Sequence, residues 1–250
     1  MHTIVLATQK GGSGKSTLAI GLALAAKQAG HSVRLIETDP QGTLSSWQRR
    51  RGQTEPLVQA VYRAPDIEHH LRAFAERGVT IAIIDTAGGL SAATTAAIRY
   101  CDLCLIPARP SFADIEATAA TVSVARAWRR PFGFVLNQTP IRGQRVDDSA
   151  TTLGDDVGLD LCDVVARPFI VMRNDHQDAL ANGLAVGEYA PQGKSAEEIR
   201  GLWRWAETKL NIGAPLDTQM LEDLESVPQL LPALAALTPP EAVRTRFLNR

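Results

Sequence analysis

The stretch KGGSGKST, Lys10 to Thr17, follows the apolar run TIVLA, Thr3 to Ala7, and opens a segment rich in alanine and leucine. Strand, glycine turn and helix in that order describe a phosphate-binding loop. Gly11, Gly12 and Gly14 let the backbone fold tightly, so that successive N–H groups, that of Ser13 included, face phosphate oxygens. The helix opening near Lys15 adds the positive end of its dipole. In such a loop Lys15 reaches the β and γ phosphates, Ser16 ligates Mg²⁺ through its hydroxyl, and Thr17 completes the nucleotide contacts. The usual pattern G-x-x-x-x-G-K-[ST] asks for a glycine five residues before Gly14. Gln9 stands there instead, and a lysine has been gained at position 10.

The resulting form, K-G-G-x-G-K-[ST], resembles the deviant Walker A loop of the ParA/MinD family of ATPases. The resemblance implies ATP and Mg²⁺ as ligands and a nucleotide-sandwich homodimer. Lys10 matches the family's signature lysine, which reaches the phosphates held by the facing subunit. A second cation there neutralises charge developing on the transferred phosphoryl group, as an arginine finger does elsewhere.

Composition agrees with a globular domain. A chain of 250 residues buries about three quarters of its unfolded surface. It is 45% hydrophobic and 21% charged, with a net charge of −1. Any nucleic-acid or anionic-membrane binding must therefore come from a local patch. No apolar run approaches the ~20 residues of a membrane span, and no leader-like segment opens the chain, so a cytoplasmic protein is expected. Cys101 and Cys104 have C-x-x-C spacing, open to a half zinc site or a redox pair. No second pair follows, and CDLCLIPA reads as a buried strand in which cysteine is a small apolar residue.

Short apolar runs alternate with helical patterns along the chain. Strands are expected near His2–Ala7, Val33–Glu37, Val58–Tyr62, Val79–Asp85, Leu103–Pro107, Gly133–Asn137 and Asp163–Ala166. Such alternation predicts an α/β fold, a mostly parallel central sheet covered by helices on both faces. Ligands then bind at the carboxyl ends of strands. Two acidic motifs fall there. ETDPQG, Glu37 to Gly42, resembles the family's D-x-D-P-Q with Glu37 replacing the first aspartate. By resemblance Asp39 positions the attacking water and the Mg²⁺ shell; an acidic turn braced by Pro40 is the plainer reading. TIAIIDTAGG, Thr80 to Gly89, puts Asp85 at the Walker B position, where it holds Mg²⁺ through water; capping the next helix is its plainer reading. Ala87 and Gly88 stand where the family often has prolines.

The likeness covers roughly residues 1 to 210, expected to form the ATPase domain. Within it FVLNQ, Phe134 to Gln138, is similar to the strand end whose asparagine reads adenine, so Asn137 is the candidate base reader, or else a turn residue. Residues 211–250 carry two apolar stripes and a capping box at Thr238, which predict a short helical C-terminal extension.

The small members of the family act as ATP-switched dimers that coat DNA without sequence preference and position a plasmid, chromosome or protein cargo. The resemblance therefore implies nucleoid association, a ParB-like or cargo-adaptor activating partner, and weak ATP hydrolysis until that partner stimulates it. Basic residues of the C-terminal half form the DNA surface by resemblance, with Arg173, Lys194, Arg200 and Arg204 as candidates; an ordinary solvated helix face is their plainer reading. Two other readings stay open: a MinD-like membrane-cycling ATPase, and a scaffold that binds ATP with little turnover.

Overall fold

The computed structural model describes residues 1–141, 144–158 and 161–212. Residues Met1–Leu210 form one compact unit. The expected helical extension, apart from residues 211 and 212, lies outside the described residues.

Six strands form one sheet in the order β3-β2-β4-β1-β5-β6, every neighbouring pair parallel. They are β1 His2–Leu6, β2 Val33–Glu37, β3 Leu57–Ala60, β4 Ile81–Asp85, β5 Leu103–Ala108 and β6 Phe132–Leu136. The helices are α1 Lys15–Gln28, α2 Thr43–Arg50, α3 Ala64–Glu76, α4 Ala92–Tyr100, α5 Phe112–Glu116, α6 Thr118–Ala127, α7 Gln144–Val157, α8 Leu161–Val164, α9 Asn174–Ala181, α10 Val186–Tyr189 and α11 Lys194–Lys209. A parallel strand covered on both faces has no polar side to show. IAIID of β4 and LCLIPA of β5 are accordingly buried at every position.

Alternation along the strands divides the core. Val5, Ile36, Ala82, Ile84, Cys104, Ile106 and Phe134 face a cluster with Ile67, Leu71 and Phe74 of α3, Ala97 and Ile98 of α4, and Val122 and Ala125 of α6. The intervening residues, Ile4, Leu6, Leu35, Ile83 and Leu105, are equally buried and turn to the other face. α1 contacts both β4 and α11 there, which explains why its sequence shows little polar-apolar division: buried residues run from Leu18 through Ala26.

The cysteines serve packing and not chemistry. Cys101 and Cys104 are free and buried, and burial pushes the Cys101 thiol up to about 12 and Cys104 well above its ordinary value. Among the described residues no group of His, Cys, Asp and Glu could hold a metal by itself.

The sheet corrects one expectation. Asp163–Ala166 is not a seventh strand: α8 runs to Val164, and only Val165 makes a bridge, to Phe134. The chain then follows β6 through single bonds, Ala166 N–H to Phe134 O at 2.9 Å, Ile170 N–H to Leu136 O at 2.9 Å and Thr139 N–H to Ile170 O at 3.0 Å. Pro168 has no N–H to lend a continuous ladder.

Close approach sets where glycine is required. Gly133 of β6 lies under Trp205 of α11, and a Cβ there would stand 2.2 Å from the ring. Gly133→Ala should cost about 1–3 kcal/mol by overpacking, whereas Gly52→Ala, with open space at its Cβ position, should change little. Urea unfolding midpoints check this, and equal losses for the two would refute the packing.

Candidate nucleotide-binding site

The register of the sheet assembles the site. Leu6 of β1 and Glu37 of β2 both pair with Asp85 of β4, so three strands end level and their loops emerge together. The phosphate loop leaves β1 and turns into α1 at Gly14, whose φ of 88° is left-handed. Gly12 has φ 76°. At Gly14 glycine is required twice over, because a Cβ would lie 2.3 Å from Asn137 Nδ2.

The loop surrounds one wall of a cleft of about 650 Å³ lined by Gly11, Gly12, Gly14, Lys15, Ser16 and Thr17, with Asp39, Gln41, Thr43, Ala87 and Gly88 opposite. Lys15 is buried, its Nζ 3.5 Å from Lys10 O. Burial lowers its pKa, opposed by Asp85 and Asp39. The Ser13 hydroxyl is buried without a partner, so that residue offers the cleft its backbone. Lys10 is exposed, and among the described residues its ammonium makes no ion pair.

The carboxylates divide their work. Asp85 is fully buried, and desolvation raises its pKa to about 7, although Ser16 and Lys15 favour the anion. Ser16 lies near it, yet neither carboxylate oxygen has a partner of hydrogen-bond geometry. A dry carboxylate without donors, beside a hydroxyl, a lysine and a nearby second acid, suits a hydrated Mg²⁺, whose water would supply the missing hydrogens. Asp39 is half-buried and accepts the Gln41 N–H at 2.9 Å, leaving a free oxygen toward the cleft.

The motif leaves the task of Glu37 unassigned, and its contacts define one. Its Oε1 accepts the Leu44 N–H at 2.6 Å, and Ser45 donates to it from backbone and hydroxyl. It therefore caps α2, whose N-cap residue, Gly42, has no side chain to do so. The longer glutamate satisfies a helix end that also presents Thr43 to the cleft.

Asn137 donates from Nδ2 to Ser13 O at 2.8 Å and accepts the Gln138 N–H at 2.9 Å. Its amide braces the loop and keeps one N–H and one lone pair for a ligand. Gln138 has no assigned part in the motif; at φ 54° it donates from Nε2 to Gly12 O at 2.8 Å. The adjacent Asn-Gln pair after an apolar strand is the only sequence signal for it. Both line a smaller hollow with Gly14, Thr17, Arg173 and His176.

The basic candidates separate. Arg173 is bound through Nη1 to both oxygens of Glu198 at 2.7 Å, which removes it as a free surface cation. Arg200 donates to Pro191 O at 3.0 Å. Lys194 and Arg204 are exposed on α11.

Comparison with known proteins places this architecture. The chain is 27% identical over 206 residues to the maintenance of carboxysome distribution protein A of Halothiobacillus neapolitanus, covering 78% of this chain and 91% of that protein. Its fold resembles an ATP complex of Cyanothece McdA, TM-score 0.67 at 15% identity over 87% of this chain and 99% of that one. It also resembles the septum site-determining protein MinD of Pyrococcus horikoshii with Mg-ADP, TM-score 0.66 at 16% identity over 86% and 99%. Residues 4–181 match the CobQ/CobB/MinD/ParA nucleotide binding domain, and the chain belongs to that family of ATPases.

Proposed function

We propose that this protein is a ParA-type ATPase that dimerises with ATP, binds DNA without sequence preference and positions a plasmid, chromosome or protein cargo under the control of an activating partner. The observation that carries the reading is the cleft itself: Lys15, Ser16, Asp39 and the unsatisfied Asp85 surround a phosphate loop while Lys10 stays free at the surface. A lysine without an ion-pair partner among the described residues suits a target supplied by another subunit.

Each residue has a defined task. The loop's N–H groups and the α1 N-terminus hold the phosphates, and Lys15 places its charge on the β and γ groups. Ser16 and Asp85 would hold Mg²⁺, Asp85 through water, and the ion would supply positive charge against the phosphates. Asp39 orients the attacking water through its free oxygen. Asn137, tied to the loop, turns its remaining amide groups toward the base.

No helix among the described residues is long and apolar enough to cross a membrane.

Lys15→Ala should lose nucleotide. Lys10→Ala should keep it and stay monomeric, and Asp39→Ala should retain ATP and accumulate as dimer. Size-exclusion chromatography of each with ATP and Mg²⁺ checks this; a wild type that stays monomeric in ATP would count against the reading. Phosphate release should be slow alone and rise with DNA and partner.

Asp85 makes the nucleotide-free protein pH-sensitive. Its folded pKa of about 7 lies above the unfolded carboxyl value of about 3.9, so the fold prefers the proton. The stability it contributes is present below the unfolded value and lost as pH rises through about 7. Asp85→Asn should thus raise the thermal midpoint most at pH 8 and by about a third as much at pH 5, where the unfolded carboxyl is already ionised, while abolishing Mg²⁺-dependent turnover. A midpoint lowered at both pH values would show that the carboxylate is structurally required.

A further inference from the structure

The sheet edge opposite the phosphate loop carries an arginine cluster that nucleotide chemistry does not use. α4 ends at Tyr100 just before β5, and α6 ends at Ala127 just before β6, so both helix C-termini lie at that edge. Arg99 belongs to the last turn of α4, and Arg129 and Arg130 follow α6. The Arg99 guanidinium lies 4.7 Å from the centroid of the Trp128 ring and 5.3 Å from that of Tyr100. Arg99, Trp128 and Arg129 are exposed, and among the described residues no ion pair includes Arg99, Arg129 or Arg130. Glu68, the acid of α3 that faces this corner, is hydrogen-bonded to Tyr100 and Arg72 and also feels the charge of Arg99, without an ion pair to it.

Two features argue against an incidental solvated face. One cation at each helix end would answer the two dipoles, and here more stand together, while the nearby Glu68 and Asp102 are hydrogen-bonded to Tyr100 and to the Thr3 N–H. Arg129 also occupies the left-handed position that closes α6, at φ 52°, its N–H bonded to Arg126 O at 2.9 Å while Arg130 N–H reaches Ala125 O at 2.8 Å. That position favours glycine. The backbone thus takes an unfavourable residue at a point where only its charge and fork distinguish it.

We propose that Arg99, Arg129 and Arg130, ordered around Trp128, form a surface for the phosphate backbone of DNA, separate from α11. Stacking occupies the planar face of Arg99 and leaves its N–H rim for phosphate oxygens, which a guanidinium binds through two parallel bonds. An anionic bilayer fits less well. The Trp128 ring is partly covered by Arg99, and its exposed neighbours Ser123 and Ala127 are too small to insert into lipid. The inference rests on the DNA-binding reading above but not on ATP-driven dimerisation, since each subunit carries the whole cluster.

The test uses the full chain with ATP and Mg²⁺, a labelled mixed-sequence duplex and fluorescence anisotropy over a salt series. Arg129→Gly relaxes the backbone while removing the cation, so its thermal midpoint should hold or rise as DNA affinity falls. Arg99→Glu with Arg129→Gly should weaken binding about tenfold at low salt and reduce the slope of log affinity against log salt by roughly one for each phosphate that is no longer neutralised. Arg99→Lys with Arg129→Lys should recover most of the affinity. Retained ATP binding, at the far edge of the sheet, verifies the fold of every variant.

The outcomes separate the two claims. Wild-type affinity in the double variant, with Lys194→Glu binding weakly, overturns this surface and leaves the DNA reading intact. Loss of binding in the double variant, from a wild type that never dimerises in ATP, supports the surface and sinks the dimer switch. Binding to phosphatidylglycerol vesicles but not to DNA, or to neither, overturns the surface as a DNA site.

Discussion

Three parallel strands that finish level with one another set the conditions for everything else in the molecule. Because Leu6 and Glu37 both register against Asp85, a phosphate loop, an acidic turn and a buried carboxylate emerge side by side from a core with no polar face. The sheet is rigid because its central strands are buried throughout. A carboxylate on such a strand cannot swing out to solvent, so Asp85 stays buried and its charge is disfavoured. A group so placed suits a hydrated cation without a ligand cage of its own.

The phosphate loop is held from behind. Its N–H groups can turn toward an anion only if its carbonyls are satisfied elsewhere, and Asn137 and Gln138 take two of them, Ser13 O and Gly12 O. Gln138 adopts a left-handed conformation to do so. That strain belongs to the site: it is placed where loop shape decides whether phosphate binds. The α2 cap works similarly on the opposite wall, since Glu37 fixes the helix that carries Thr43 and follows Asp39.

Much of this is legible in the sequence, and what is not has a physical reason. The loop motif, the apolar runs that become strands and the acid ending IAIID are readable because each depends on local residue types. The six strands lie within a few residues of the places expected. Asp163–Ala166 misleads because an apolar run of that length fits either a strand or a helical turn, and Pro168 and the sheet edge settle which. The cap made by Glu37 is not legible, because motif position indicates where a carboxylate emerges but not whether helix N–H groups or solvent will claim it. Arg173 looks like a surface cation because its partner, Glu198, is 25 residues away and meets it only through the fold.

The two edges of the sheet have opposite characters. At the carboxyl edge, buried acids and one buried lysine gather around the phosphate loop. At the amino edge, Arg99 in the last turn of α4 and Arg129 and Arg130 after α6 stand close to the two helix ends, in no ion pair among the described residues. A net charge of −1 makes this separation significant, since a nearly neutral chain attracts a polyanion only where its cations are gathered and its acids are engaged elsewhere. Arg173 and Glu198, Arg51 and Glu188, and Arg109 and Asp114 spend their charges on internal pairs. Arg99, Arg129 and Arg130 make no such pair among the described residues, and they stand at the edge opposite the phosphate loop.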